Sequence, residues 1–196
     1  MRFLARSVAF LALFVAVLAH AQEAPDALVK KAVSEVLSTI KETRDQKKLI
    51  EVAETKIVPY FDFRQMTQLA AGRSWSQASA AQQEALEKNF RTLLVRTYTA
   101  ALTRVSGEAK VDVRPAAVSG DDALVKTVGS EPGKQPVQID YRMAKTAGGW
   151  KVYDVVVEGL SLVTSYRSSF QSEIARSGFD GLIKTIEEKN RKGTEG

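Results

Sequence analysis

The stretch GGWKVYDVVVEGLSLVTSYRSSF at 148–170 decides the fold. A Gly148-Gly149 turn feeds a short strand, Gly159 stops that strand, and a helical pattern follows. With regular alternation, Trp150, Val152 and Val156 point to one face, and Tyr153, Val155 and Val157 to the other. A strand apolar on both faces must be covered on both, or must hold something apolar against one of them. Beyond Gly159, Leu160, Val163, Phe170 and Ile174 recur at helical spacing, with Arg167 in the same stripe.

Upstream, residues 26–106 read almost entirely as helix. Asp26 is the expected N-cap of a first helix whose apolar face runs Leu28, Val29, Ala32, Val33, Val36, Leu37 and Ile40. A second helix over 45–58 turns Leu49, Ile50, Ala53 and Ile57 inward and stops at Pro59. Asp62 caps a short third helix that ends at Gly72, and Ser79 opens the longest one, which ends at Gly107.

The period then changes to two. Strands are expected at 110–116, 123–130, 136–145 and 150–158, joined by turns at 120–122, 131–133 and 147–149. In the third strand Val137, Ile139, Tyr141 and Met143 face one side, and Gln138, Asp140, Arg142 and Ala144 the other. Two helices, 161–176 and 180–189, close the chain on either side of Gly178. The class is α+β: a four-stranded antiparallel sheet covered on one face by several helices. Periodicity alone does not say whether the enclosed interior is a packed core or a container.

The start of the chain reads as an export signal. Arg2 and Arg6 precede an apolar run at 8–19, and Ala19-His20-Ala21 fits a small-x-small cleavage site. Residues 1–21 are therefore expected to be removed, leaving 22–196 as one domain. The only histidine leaves with that segment, and the chain has no cysteine. The remaining chain thus has no imidazole or thiol for general-base, nucleophilic or soft-metal chemistry. The formal charge falls from +5 to +3 without Arg2 and Arg6. Its basic residues are interleaved with acids, unlike the concentrated patch of a nucleic-acid binder.

Three stretches carry a family resemblance: 148–170, FDFRQMTQLAAGRSW at 61–75, and RTLLVRTYTAAL at 91–102. Together they resemble the MlaC family of periplasmic phospholipid-binding proteins, also known as toluene-tolerance proteins. The resemblance spans roughly residues 25 to 190. It implies a monomeric phospholipid carrier in the periplasm, with the acyl chains between sheet and helices and the headgroup toward solvent. It also implies a cycle between an outer-membrane lipoprotein-porin complex and an inner-membrane ABC transporter with an MCE component, which maintains outer-membrane lipid asymmetry. The cargo is the only bound group so implied; no cofactor or metal is.

The family-like motifs and the facing apolar stripes give a list of candidate lipid contacts. They are Met66, Leu69, Leu94, Tyr98, Tyr141, Met143, Val157, Leu160, Val163, Tyr166, Arg167 and Phe170. A hydrophobic pocket toward the upper part of the ~300–1,000 Å³ range for ligand sites is expected between the sheet and the helices that begin near Ser79 and Ser161. Arg167 must pair with a carboxylate (Asp154, Glu158 or Asp62), snorkel, or meet a polar ligand group. Arg73, Arg96 and Arg142 are further headgroup or partner candidates, each otherwise a solvated surface residue.

Other chemistry is weaker. Ser38 and Lys41 match Ser-x-x-Lys without companion motifs, and Asp121 and Asp122 lack the spacing of a calcium loop. Asp140 or Asp154 as a general base on a cone-shaped α+β fold is the competing enzyme reading, and it requires a carboxylate inside the pocket. A lipid-free adaptor with a closely packed interior is the third reading.

Overall fold

Local signals in the chain set the helix boundaries. In the computed structural model, which describes residues 23–192, α1 spans Pro25–Glu42 and α2 Gln46–Val52. Pro25 sits in the first turn of α1, where its missing N–H costs nothing. Asp26, expected as the N-cap, lies inside that first turn and complements the helix dipole instead. Asp45 caps α2 by accepting the Lys48 N–H at 3.0 Å. The expected continuation of α2 to residue 58 is replaced by one π turn, Ala53–Ile57, and a 3-10 turn, Val58–Tyr60, that carries Pro59. The third helix, α3 (Phe63–Ala71), is capped by the Asp62 carboxylate on the Gln65 N–H at 2.8 Å. Ser79 and Gln82 form a reciprocal capping box at the start of α4, Ala80–Leu102.

The sheet has six strands where four were expected. They are β1 (Lys110–Val113), β2 (Ala117–Ser119), β3 (Asp122–Ser130), β4 (Val137–Thr146), β5 (Gly149–Val157) and β6 (Leu160–Ser161). The order is β1-β3-β4-β5-β6, all antiparallel, with β2 also on β3. The expected 110–116 strand ends early, where Pro115, which has no N–H to give a ladder, separates β1 from β2. At the other edge, Glu158 and Gly159 both have positive φ, 49° and 79°. That geometry makes a tight two-residue hairpin, so the chain pairs back as β6 before any helix can start.

A bulge re-aims the decisive strand. Arg142 lies opposite Asp154 but Met143 lies opposite Val152, so Tyr153 is one residue too many for β4 to pair. Even alternation fails there. Trp150 and Val152 share the helix-facing side with Val155 rather than Val156. Val157 follows Val155 onto that side, opposite Ile139.

The chain closes with a 3-10 turn, Thr164–Tyr166, and α5, Arg167–Lys192, which kinks at Gly178. Ser161 does not open this helix. Its hydroxyl donates to Asp154 at 2.8 Å and accepts the Thr164 N–H at 2.9 Å, which joins β5 to the turn.

Two packed clusters result. One lies among α3, α4 and α5, where Phe90 meets Phe170 and Tyr166 edge-on at ring distances of 5.0 and 5.1 Å. The other packs Leu28 and Val29 of α1 on Val125, Met143, Trp150 and Val152 of the sheet. Phe170 is thus core, and its cost of removal should show it. Phe170→Ala should lower stability by about 3–5 kcal/mol in denaturant unfolding. A loss below about 1 kcal/mol would mean that the ring is not packed as described.

Candidate functional site

Between the two packed clusters the interior is hollow. A cavity of about 550 Å³ lies between the sheet and the helices, in the middle of the range for ligand sites rather than its upper part. The apolar face of α1 supplies one wall through Val29, Val33, Val36, Leu37 and Ile40. Leu49 and Val52 of α2, and Ile57 of the π turn, extend that wall. Opposite stand Ile139, Tyr141, Val152, Val155 and Val157 of the sheet, and α4 adds Leu94, Val95, Tyr98 and Leu102. Phe61, Phe63, Met66 and Val163 gather at one end. The charged lining residues, Lys110, Glu131 and Lys134, belong to the other end, at the start of β1 and the β3–β4 loop.

Six of the sequence-derived residues line this space: Met66, Leu94, Tyr98, Tyr141, Val157 and Val163. The other six do not. Phe170 and Tyr166 pack with Phe90, and Leu69 packs against the same helical cluster. Met143 is fully buried under α1 in the sheet cluster. Leu160 is 63% exposed on the edge strand β6, because the hairpin carries it out of the helical stripe. Arg167 finds neither a carboxylate nor the cavity. Its Nε and Nη2 donate to the Leu69 carbonyl at 3.0 and 2.7 Å, closing the C-terminal end of α3. Gln171 does the same for Ala71. Arg73 joins these residues in a shallow outer hollow, and neither Arg96 nor Arg142 lines the cavity.

The sequence list missed α1 and α2 altogether. The signal was present in the unbroken α1 stripe, but a stripe against a void and a stripe against a core have the same period.

Two half-buried phenols, Tyr98 and Tyr141, stand on the cavity wall. Burial pushes the Tyr141 phenol up to about 12. Burial, reinforced by neighbouring Tyr166, also pushes Tyr98 up, and its hydroxyl donates to the Leu162 carbonyl at 3.3 Å. Asp154 is fully buried but lies outside the lining, held by Ser161 and by Arg142 at 3.5 Å; Asp140 is outside the lining as well. Among the described residues no cluster of three or more His, Cys, Asp or Glu side chains could hold a metal ion. Among them, too, no helix is long and apolar enough to cross a membrane.

The profile of the MlaC protein family matches residues 30–188. The chain belongs to the MlaC family. Among individual relatives, it is similar to the intermembrane phospholipid transport system binding protein MlaC of Haemophilus influenzae. The two are 24% identical over 180 residues, 87% of this chain and 84% of that one. It is 27% identical over 176 residues to a toluene tolerance protein of Pseudomonas putida, covering 85% of this chain and 80% of that one. Its fold is similar to that of a phospholipid-binding protein from Ralstonia solanacearum, solved in complex with a phospholipid. The TM-score there is 0.78 at 38% identity, over 88% of this chain and 99% of that one.

In this MlaC-family chain one carboxylate ties together two loops at the polar end of the cavity. Glu131 accepts the Ser106 N–H at 2.8 Å and the Lys134 ammonium at 2.9 Å, linking the β3–β4 loop to the loop after α4. Arg44 donates to the Thr103 carbonyl of that second loop at 3.4 Å. The Ser106 N–H first, and Lys134 second, hold Glu131 below the usual carboxylate range. A depressed pKa means that the tie is complete above the ordinary carboxylate pKa and is lost as pH falls through the lower folded value. Protection of the Ser106 amide in hydrogen exchange should therefore persist through pH 5 in the parent. In Glu131→Ala it should fall several-fold at neutral pH, while the amides of β4 and β5 stay protected. Unchanged Ser106 protection in that variant would show that the rim is held by something else.

Proposed function

We propose that this MlaC-family chain is a periplasmic phospholipid carrier. The acyl chains lie in the cavity and the headgroup lies at the rim formed by Lys110, Glu131 and Lys134. The single observation that carries this reading is an interior hollow with apolar walls and its charged side chains confined to one end. The Ralstonia relative, described as a phospholipid complex, and the Haemophilus relative, named for intermembrane phospholipid transport, support it.

The energetics suit a carrier. Each methylene taken from water contributes about 0.8 kcal/mol, so two acyl chains bind without polar recognition of their length. Release then requires an acceptor for the tails or an opening of the walls. Residues 1–21, outside the described part, read as an export signal and support a periplasmic location for a domain spanning 22–196. We take the partners to be an inner-membrane ABC transporter complex with an MCE component and an outer-membrane lipoprotein-porin complex, visited by a monomer. Met66, Leu94, Tyr98, Tyr141, Val157 and Val163, with the α1 face, are the proposed lipid contacts.

Turnover of the cargo is not part of this reading. Residues 22–196 contain no His or Cys, and the one carboxylate lining the cavity among the described residues, Glu131, is engaged at the rim.

Native mass spectrometry of the purified chain should detect a co-purifying phospholipid. Val36→Trp puts bulk into the void from α1 and should cut that lipid by half or more with little change in melting temperature. Lys30→Glu, on the exposed side of the same helix, should leave lipid content unchanged. A parent protein that never takes up phospholipid, even from vesicles, would overturn the carrier reading.

A further inference from the structure

Among the described residues lining the cavity six carry hydroxyls, and one of them, Ser130, is exposed to solvent at the rim. Thr39 donates to the Glu35 carbonyl at 2.8 Å, and Thr99 to the Val95 carbonyl at 2.7 Å. Tyr98 donates to Leu162, and Tyr60 interacts with the Lys31 ammonium. Tyr141 is different. It lies mid-sheet and faces the cavity, yet no hydrogen bond joins its hydroxyl to any described residue.

Its surroundings explain why. The residues opposite it on the neighbouring strands are Val125 and Val155, and neither side chain can accept a hydrogen bond. The charged rim is out of register with it: on the cavity side of β4, Ile139 stands between Tyr141 and Val137. Tyr141 is half-buried and its hydroxyl opens onto the cavity, so an apolar cargo would cover it, and a covered phenol without a partner costs free energy. Phenylalanine would fill the same apolar wall without that cost. Once a cargo fills the cavity, the cargo itself is the natural source of an acceptor for this hydroxyl.

The chemistry of a diacyl lipid narrows what that acceptor is. Its phosphate is charged and is costly to bring past the rim into an apolar wall. Its tails carry no acceptor. Between them lie two ester carbonyls, which are neutral and accept hydrogen bonds. Resting on the carrier reading, we propose that the Tyr141 hydroxyl donates a hydrogen bond to an ester carbonyl of the bound lipid. Tyr141 is then a specificity-determining residue that favours ester-linked diacyl lipids over their ether-linked analogues.

The test is competitive loading. Delipidated protein is incubated with vesicles of equimolar diester and diether phosphatidylcholine of equal chain length, and the bound ratio is read by native mass spectrometry. A net hydrogen bond corresponds to a preference of roughly 2- to 10-fold. The parent should show an ester preference in that range. Tyr141→Phe should bind the two lipids about equally, with total loading and melting temperature near parental. With lipid labelled by ¹³C at the carbonyls, the parent should show a red-shifted carbonyl infrared band that is absent in Tyr141→Phe. No ester preference in the parent, or a preference and band that survive in Tyr141→Phe, overturns the proposal while leaving the carrier intact; water would then be the phenol's partner. Uptake of neither lipid by the parent overturns the carrier reading and this proposal together.

Discussion

The extra residue at Tyr153 is the constraint on which the cavity wall depends. In a strand, a shift of one residue moves every following side chain to the opposite face. Without the bulge, Val155 and Val157 would leave the cavity side of β5 and Asp154 would turn into it. With the bulge, the valines face Tyr141 and Ile139, and Asp154 turns away toward Arg142 and Ser161. A fully buried carboxylate is tolerable only when its partners are in place. The same Asp154–Ser161 bond anchors the chain where it leaves the sheet, and so helps set the position of Val163 at the closed end of the cavity.

Stability and capacity are assigned to different parts of the molecule. The α3–α4–α5 cluster is closely packed around Phe90, Leu86, Leu182 and Ile186, none of which lines the cavity. The face of α1, by contrast, looks into open space over much of its length. Empty apolar walls forfeit the dispersion contacts that a packed core would make, and a bound apolar molecule restores them. The helical cluster stabilises a fold that leaves this void open.

Polar groups around the void follow a consistent division. Arg167 and Gln171 are spent on the carbonyls at the end of α3, and the cavity-facing hydroxyls of Thr39, Tyr98 and Thr99 are spent on backbone carbonyls. Glu131 is spent on the Ser106 N–H and the Lys134 ammonium at the rim. What faces the cavity is therefore almost wholly apolar, which suits recognition by area more than by hydrogen bonding.

The local grammar of this chain determined most of its elements. Asp45, Asp62 and Ser79 cap the helices that follow them, Gly178 breaks the last helix, and the switch to period two marks the sheet. These are short-range effects of backbone hydrogen bonding and φ preference, so neighbouring residues suffice to specify them. The bulge, the two-residue strand β6 and the split made by Pro115 depend on what lies across the sheet. So does the fate of each stripe. Phe170 and Val36 both sit in apolar helical stripes, yet one fills a core and the other faces a cavity. Sequence period records only that a side chain avoids water. Whether it meets another side chain or an open space is decided by how the elements are stacked, and only the tertiary structure contains that.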